Sequence, residues 1–139
     1  MPTENLPVKN IEKYAELVGD IKQRISSAQH KALKAVNREL IGLYWDIGEI
    51  IVTRQREDSW GKSVVETLSK DIREEFPKIT GFSARNLWRM REFYLTYSPS
   101  EKLSPLVAEI GWSHNSVILT KCKDDLEREF YIRMTRKYG

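Results

Sequence analysis

Cysteine is almost missing from this sequence. Cys122 stands alone among 139 residues, so no internal disulfide framework holds the fold. Histidine is nearly as scarce: His30 and His114, with one thiol, are too few and too scattered to build a zinc site. No glycine-rich phosphate loop of the P-loop or dinucleotide type occurs. No window reaches the ~18 consecutive apolar residues that span a bilayer. The longest apolar stretch, around residues 40–52, is interrupted by Gly42, Asp46, Gly48 and Glu49. A secretory leader is also lacking, which together with the single cysteine makes the reducing cytoplasm the expected compartment. The expectation is therefore a protein with no membrane partner, no metal and no cofactor. Neither sign of charge dominates, with 23 Lys+Arg against 20 Asp+Glu. A polyanionic partner then has to be argued from where the cations cluster, not from their number.

What is present is helical periodicity. Apolar residues recur at Ile11, Tyr14, Val18, Ile21 and Ile25, and again at Leu33, Val36, Leu40, Leu43, Ile47 and Ile50. The two stripes are offset by one position, so either one long helix carries a register shift or two helices meet near residues 26–29. The spacing of the second stripe is also that of a coiled-coil seam, but it spans only about two and a half heptads. Tyr44, Trp45 and Ile51 widen its apolar arc, which favours a globular core helix and leaves a homodimer seam open.

Further along, Ser63-Val-Val-Glu66 has the form of a capping box and opens a stripe at Val65, Leu68, Ile72 and Phe76, closed by Pro77. Ser83 is a good N-cap for a helix over residues 84–97. Ser104-Pro105 offers another start, Ser113 a short helix, and Asp124-Asp-Leu-Glu127 the cap of a last one. No segment alternates with the period of a strand. The expected fold class is all-α: six or seven helices in a compact bundle, a single domain over residues 10–139 behind a flexible leader at 1–9.

Without strands, nothing carries the carboxylates and lysine that a metal-dependent nuclease sets around Mg²⁺. Asp124 and Asp125 read as helix caps, Cys122 as a buried thiol and His114 as a surface or capping residue. No catalytic residue is assigned to this segment.

One constellation stands out. On a helical wheel of residues 84–97, Leu87, Met90, Tyr94 and Tyr97 form a core stripe, and Arg85, Arg89, Glu92 and Thr96 lie opposite. Trp88 and Phe93 flank the polar face and Asn86 sits at its edge. Arg85 and Arg89 fall near the helix N-terminus, where cations oppose the helix dipole. Local stability does not ask for them there, whereas a phosphate or a guanine edge would. Asn86 could pair with adenine, and the Ser83 hydroxyl with the free N–H groups beside it could hold a phosphate. Lys78 would add attraction from the preceding loop. Residues 63–76 and 84–97 thus read as a helix-turn-helix-like pair, although the loop between them exceeds the usual ~3–4 residues. On spacing alone, a solvated face with two arginines remains open. So does a homodimerisation or protein-docking platform in which Trp88, Phe93 and Trp112 are interface anchors.

Several ordered segments together carry a resemblance. They are Asn37-Arg-Glu-Leu-Ile-Gly-Leu-Tyr-Trp-Asp-Ile-Gly48, Trp60-Gly61 leading into Val64-Val-Glu-Thr-Leu-Ser-Lys-Asp-Ile72, Glu75-Phe-Pro77, Gly81-Phe-Ser-Ala-Arg-Asn-Leu87 with Met90-Arg-Glu-Phe-Tyr94, and Trp112-Ser-His-Asn115. In that order they resemble the N-terminal domain of the YhcG family, bacterial proteins grouped under a domain of unknown function. The resemblance covers residues 11–139. It implies a non-catalytic DNA-binding and interaction module serving a C-terminal PDDEXK-type nuclease domain, which would begin beyond this chain. It supplies no contact residues of its own.

Overall fold

The computed structural model describes residues 8–139, with side chains from residue 10. The leader expected at residues 1–9 thus falls largely outside the described residues. Among those described, there are five α-helices, one short 3-10 turn and no strand: α1 (Val8–Asp58), α2 (Lys62–Glu75), α3 (Ala84–Tyr97), the 3-10 turn Val107–Glu109, α4 (Trp112–Lys121) and α5 (Asp125–Tyr138). This is the expected all-α class with fewer helices. The two N-terminal stripes belong to one 51-residue helix, and the helix expected after Ser104-Pro105 is a run of turns ending in the 3-10 segment.

Residues 37–139 form one compact unit. Here α1 turns Asn37, Ile41, Tyr44, Gly48, Ile51 and Val52 inward, and Ile41, Tyr44, Ile51 and Val52 are all buried. From Asn37 to Ile51 those positions advance by three or four residues, so they occupy one face of the helix, which Val52 widens. At Gly48 the backbones of α1 and α3 approach closely. A Cβ at this position would collide with the Met90 carbonyl, and only glycine admits the crossing.

Helix α3 is the hub. Leu87 and Met90 join Tyr44, Ile51 and Val65 in one core cluster. Phe93 and Tyr97 join Ile41, Leu103, Val107, Ile110, Ile118, Cys122 and Ile132 in the other. The aromatic rings pack edge to face: Phe93 meets Trp45, Tyr97 and Trp112 at 5.7, 5.4 and 5.1 Å, and Tyr44 meets Trp112 at 4.8 Å between centroids.

Two helix starts follow their sequence signals. The Ser83 Oγ accepts the Asn86 N–H at 3.1 Å and the Asp124 carboxylate accepts the Glu127 N–H at 2.8 Å. The capping box expected at Ser63 does not form. Helix α2 begins one residue earlier behind Gly61, which makes no side-chain cap. Ser63 lies inside the first turn and its carbonyl accepts the Thr67 hydroxyl.

The turn-rich connection before α4 is tied down by two side-chain amides. The Asn37 Nδ2 donates to the carbonyls of Ala108 and Ile110 at 3.1 and 2.9 Å. The buried Asn115 donates to those of Val107 and Gly111 at 2.9 and 3.2 Å. A segment without a helical ladder needs such partners for its carbonyls.

Residues 8–36 belong to a separate unit. They are helical throughout and mostly solvent-exposed, including Ile11, Leu17, Ile21, Ile25, Leu33 and Val36.

Candidate nucleic-acid interface

The face of α3 opposite its core stripe lines a groove of about 390 Å³. Arg85, Trp88, Arg89, Glu92 and Thr96 come from α3, Leu119 and Thr120 from α4, and Arg128 from α5. Burial of Leu87, Met90, Phe93 and Tyr97 fixes the rotation of α3 and hence the direction of this polar strip. Helices α4 and α5 pack beside it through Ile118 and Ile132, which bring the second wall into place.

Three guanidiniums therefore share the groove with a single carboxylate. Among the described residues neither Arg85 nor Arg89 makes an ion pair, while Glu92 is held by Arg91 at 2.6 Å. Arg91 also donates to Gln55 at 2.6 Å, and its guanidinium lies 5.5 Å from the centroid of the Trp88 ring. Arg128 is the most enclosed of the three. It pairs with Asp125 at 3.0 Å and donates to the Cys122 carbonyl at 3.3 Å, while its buried Nε has no partner among the described residues. Nothing in the sequence pointed to Arg128. It sits in the first turn of a well-capped helix, and only the packing of α5 brings it opposite α3.

Of the residues expected to contact nucleic acid, the groove gathers Arg85 and Arg89 and leaves out Ser83, Asn86 and Lys78. Ser83 spends its hydroxyl on the helix cap. Lys78 is exposed in the turn between α2 and α3. Asn86 has both ends of its amide occupied: Nδ2 donates to the Gly81 carbonyl at 2.6 Å and Oδ1 accepts the Trp112 indole N–H at 3.0 Å. It fastens the α2–α3 connection, in which Gly81 takes the left-handed backbone (φ 98°), to the start of α4. The buried Ser69 hydroxyl adds a second tie, donating to the Phe82 carbonyl at 2.6 Å.

The expected interface anchors divide similarly. Phe93 is fully buried and Trp112 is half-buried in the aromatic core, so both are packing residues here. Trp88 remains partly open on the groove wall.

The connection between α2 and α3 runs over residues 76–83, and α3 is packed against both core clusters. Its polar strip is bounded by α4 and α5, unlike the free face of a recognition helix. Among the described residues no cluster of three or more His, Cys, Asp or Glu side chains is placed to hold a metal ion. No helix among them is long and apolar enough to cross a membrane.

Comparison with known proteins places this geometry in context. Residues 20–139 match the family model described as DUF1016 N-terminal domain. A curated relative, named "Putative nuclease YhcG", from Escherichia coli (strain K12), is 29% identical over 102 residues, covering 70% of this chain and 27% of the relative. The chain thus spans about a quarter of that relative's length. No solved structure matches the chain significantly.

Proposed function

Since the chain belongs to the DUF1016 N-terminal domain family, we propose that its arginine-lined groove binds nucleic-acid phosphates and so positions the nuclease domain of a longer protein on its substrate. The nuclease part of this reading comes from the name of the relative, which the chain covers only in part. The binding part rests on one observation: Arg85 and Arg89 of α3 converge with Arg128 of α5 on one open groove that holds a single carboxylate. Arginine forks suit phosphate oxygens, and Trp88 beside them offers a face on which an unpaired base can stack. Each phosphate neutralised releases condensed counterions, so binding should weaken steeply with salt.

The test is fluorescence anisotropy of labelled duplex, branched and single-stranded DNA at two salt concentrations, with an Arg85→Ala/Arg89→Ala double variant alongside. Arg128 is spared because its contacts to Asp125 and Cys122 also support α5. We expect salt-sensitive binding, with affinity in the variant reduced at least tenfold and a salt slope shallower by about 2. Equal affinity of parent and variant would refute the groove as the site. Absence of binding at low salt would remove the nucleic-acid reading altogether.

A further inference from the structure

Residues 8–36 of α1 carry a repeat that the arginine groove does not explain. From Ile11 to Ala35 apolar residues recur at alternating steps of three and four without a break. This is a heptad seam of about three and a half repeats, with Ile11, Val18, Ile25 and Ala32 at its a positions and Tyr14, Ile21, Ala28 and Ala35 at its d positions. The segment is helical throughout, and apart from the half-buried Tyr14 and Val18 the whole seam is exposed. Ile21 and Ile25, at its centre, are 51% and 53% exposed. An isolated helix is held less by its own hydrogen bonds than by what its apolar face packs against.

The charges beside the seam identify what covers it. Lys22 falls at an e position and Arg24 and Lys31 at g positions, which flank a coiled-coil seam and set the choice of partner. The remaining e and g positions between residues 10 and 31 are neutral. The acids of the segment, Glu12, Glu16 and Asp20, fall at b, f and c, away from the seam. Lys22, Arg24 and Lys31 are exposed, and among the described residues none of them makes an ion pair. A second copy of this chain would bring three more cations and no acid to the same seam, which like-charge repulsion opposes. A lipid surface fits less well, because polar residues at e and g keep the apolar strip narrow and the alanines at its C-terminal end offer little area to insert.

We propose that the seam of residues 11–35 pairs with an amphipathic helix of another protein whose own flanking positions are acidic. Lys22, Arg24 and Lys31 then meet carboxylates across the joint. Ala28, Ala32 and Ala35 leave room for larger apolar side chains of the partner helix.

The experiment is fluorescence anisotropy of two labelled synthetic peptides, each of about four heptads with Ile at a and Leu at d, titrated with the whole chain. One peptide carries Glu at every e and g position and the other Lys. Two variants accompany the parent chain: Lys22→Glu/Arg24→Glu/Lys31→Glu, which reverses the flanks, and Ile21→Asn/Ile25→Asn, which interrupts the seam. Circular dichroism confirms that each is folded. The substituted side chains are exposed, so loss of binding would not come from loss of the fold. We expect the parent to bind the acidic peptide at least about tenfold more tightly than the basic one, and the flank-reversed variant to show the opposite preference. The seam variant should bind neither. Equal affinity of the parent for both peptides, or none for either, would overturn the proposal. So would binding of the acidic peptide that survives Ile21→Asn/Ile25→Asn, since attraction to a basic surface alone would explain it. Light scattering that shows the parent chain dimeric through this segment would assign the seam to a second copy. Binding to phosphatidylglycerol vesicles without binding to the acidic peptide would assign it to a membrane surface, and either result would refute the acidic helix.

Discussion

Replacing Gly48 with alanine adds one methyl group where α1 crosses α3. That methyl would collide with the Met90 carbonyl oxygen, with the carbonyl carbon at 2.8 Å and the Tyr94 Cβ at 3.0 Å. Two of these atoms are main chain and the third begins its side chain, so no rotamer change clears them. Ordinary contact between carbons lies at ~3.5–4.0 Å, and the crossing must therefore open by about 1 Å. A gap of that size forfeits a quarter to a half of the attraction between facing atoms. The residues involved, Tyr44, Ile51, Leu87 and Met90, belong to one core cluster. Overpacking of this kind costs ~1–3 kcal/mol, and movement of main chain puts Gly48→Ala near 3 kcal/mol. At ~4–8 °C per kcal/mol for a domain of ~100 residues, Tm should fall by roughly 12–24 °C. Thermal unfolding followed by circular dichroism reads this directly, with Gly42→Ala in the same helix as the control. Nothing lies within 4 Å of a Cβ at Gly42, and replacing an exposed helical glycine gains ~1 kcal/mol. The two substitutions should act in opposite directions. A Gly48→Ala protein that melts at or above the parent temperature would refute the close crossing.

Asn86→Ala should cost about 2–3 kcal/mol, because it removes one hydrogen bond and leaves the Trp112 indole N–H without its acceptor. The checks are denaturant unfolding and tryptophan fluorescence, and unchanged stability would return Asn86 to the list of free surface residues. The buried Tyr97 hydroxyl has no hydrogen-bond partner among the described residues, so Tyr97→Phe should leave stability equal or higher by about 1 kcal/mol in chemical denaturation at neutral pH, and a large loss would show that the hydroxyl is satisfied. Burial pushes the Tyr97 phenol up to about 12, from 10.0. The unfolded chain therefore ionises first, and stability that is intact below pH 10 is lost as pH rises towards 12. Tyr97→Phe should flatten that alkaline limb in a series of melts, and an unchanged limb would assign it to other groups.

Capping chemistry made Ser83 and Asp124 legible from sequence because a cap is a local contract between a side chain and an N–H three residues on. Ser63 showed the same signature and went unused, since Gly61 places the helix start where no hydroxyl is needed. Periodicity located the buried Leu87, Met90 and Tyr97, and it identified the Arg85/Arg89 strip that lines the groove. Phe93 was placed beside the polar face, yet it is fully buried because α4 and α5 cover that flank as well. In α1 the regular stripe at Leu33, Val36, Leu40, Leu43, Ile47 and Ile50 suggested the core; Ile47 does pack against it, and the other five are exposed. The core takes Ile41, Tyr44, Ile51 and Val52 from another face of the same helix. A spacing pattern says that a face is apolar but not which neighbour covers it. Arg128 and Asn37 were not legible for a related reason: their roles depend on partners far away in the chain.

The amides of Asn37 and Asn115 also bear on the order in which the chain assembles. Asn37 reaches carbonyls 71 and 73 residues further on, so these bonds exist only once the end of α1 and the approach to α4 have met. Closing so long a loop carries an entropic cost that helix formation alone does not repay. The segment between α3 and α4, made of turns and one 3-10 coil, should therefore lock late, after Phe93, Tyr97 and Ile41 have gathered the helices around it. In the native state it should also be among the first parts of the compact unit to release its amide hydrogens to solvent. The wall that α4 contributes to the arginine groove would loosen with it.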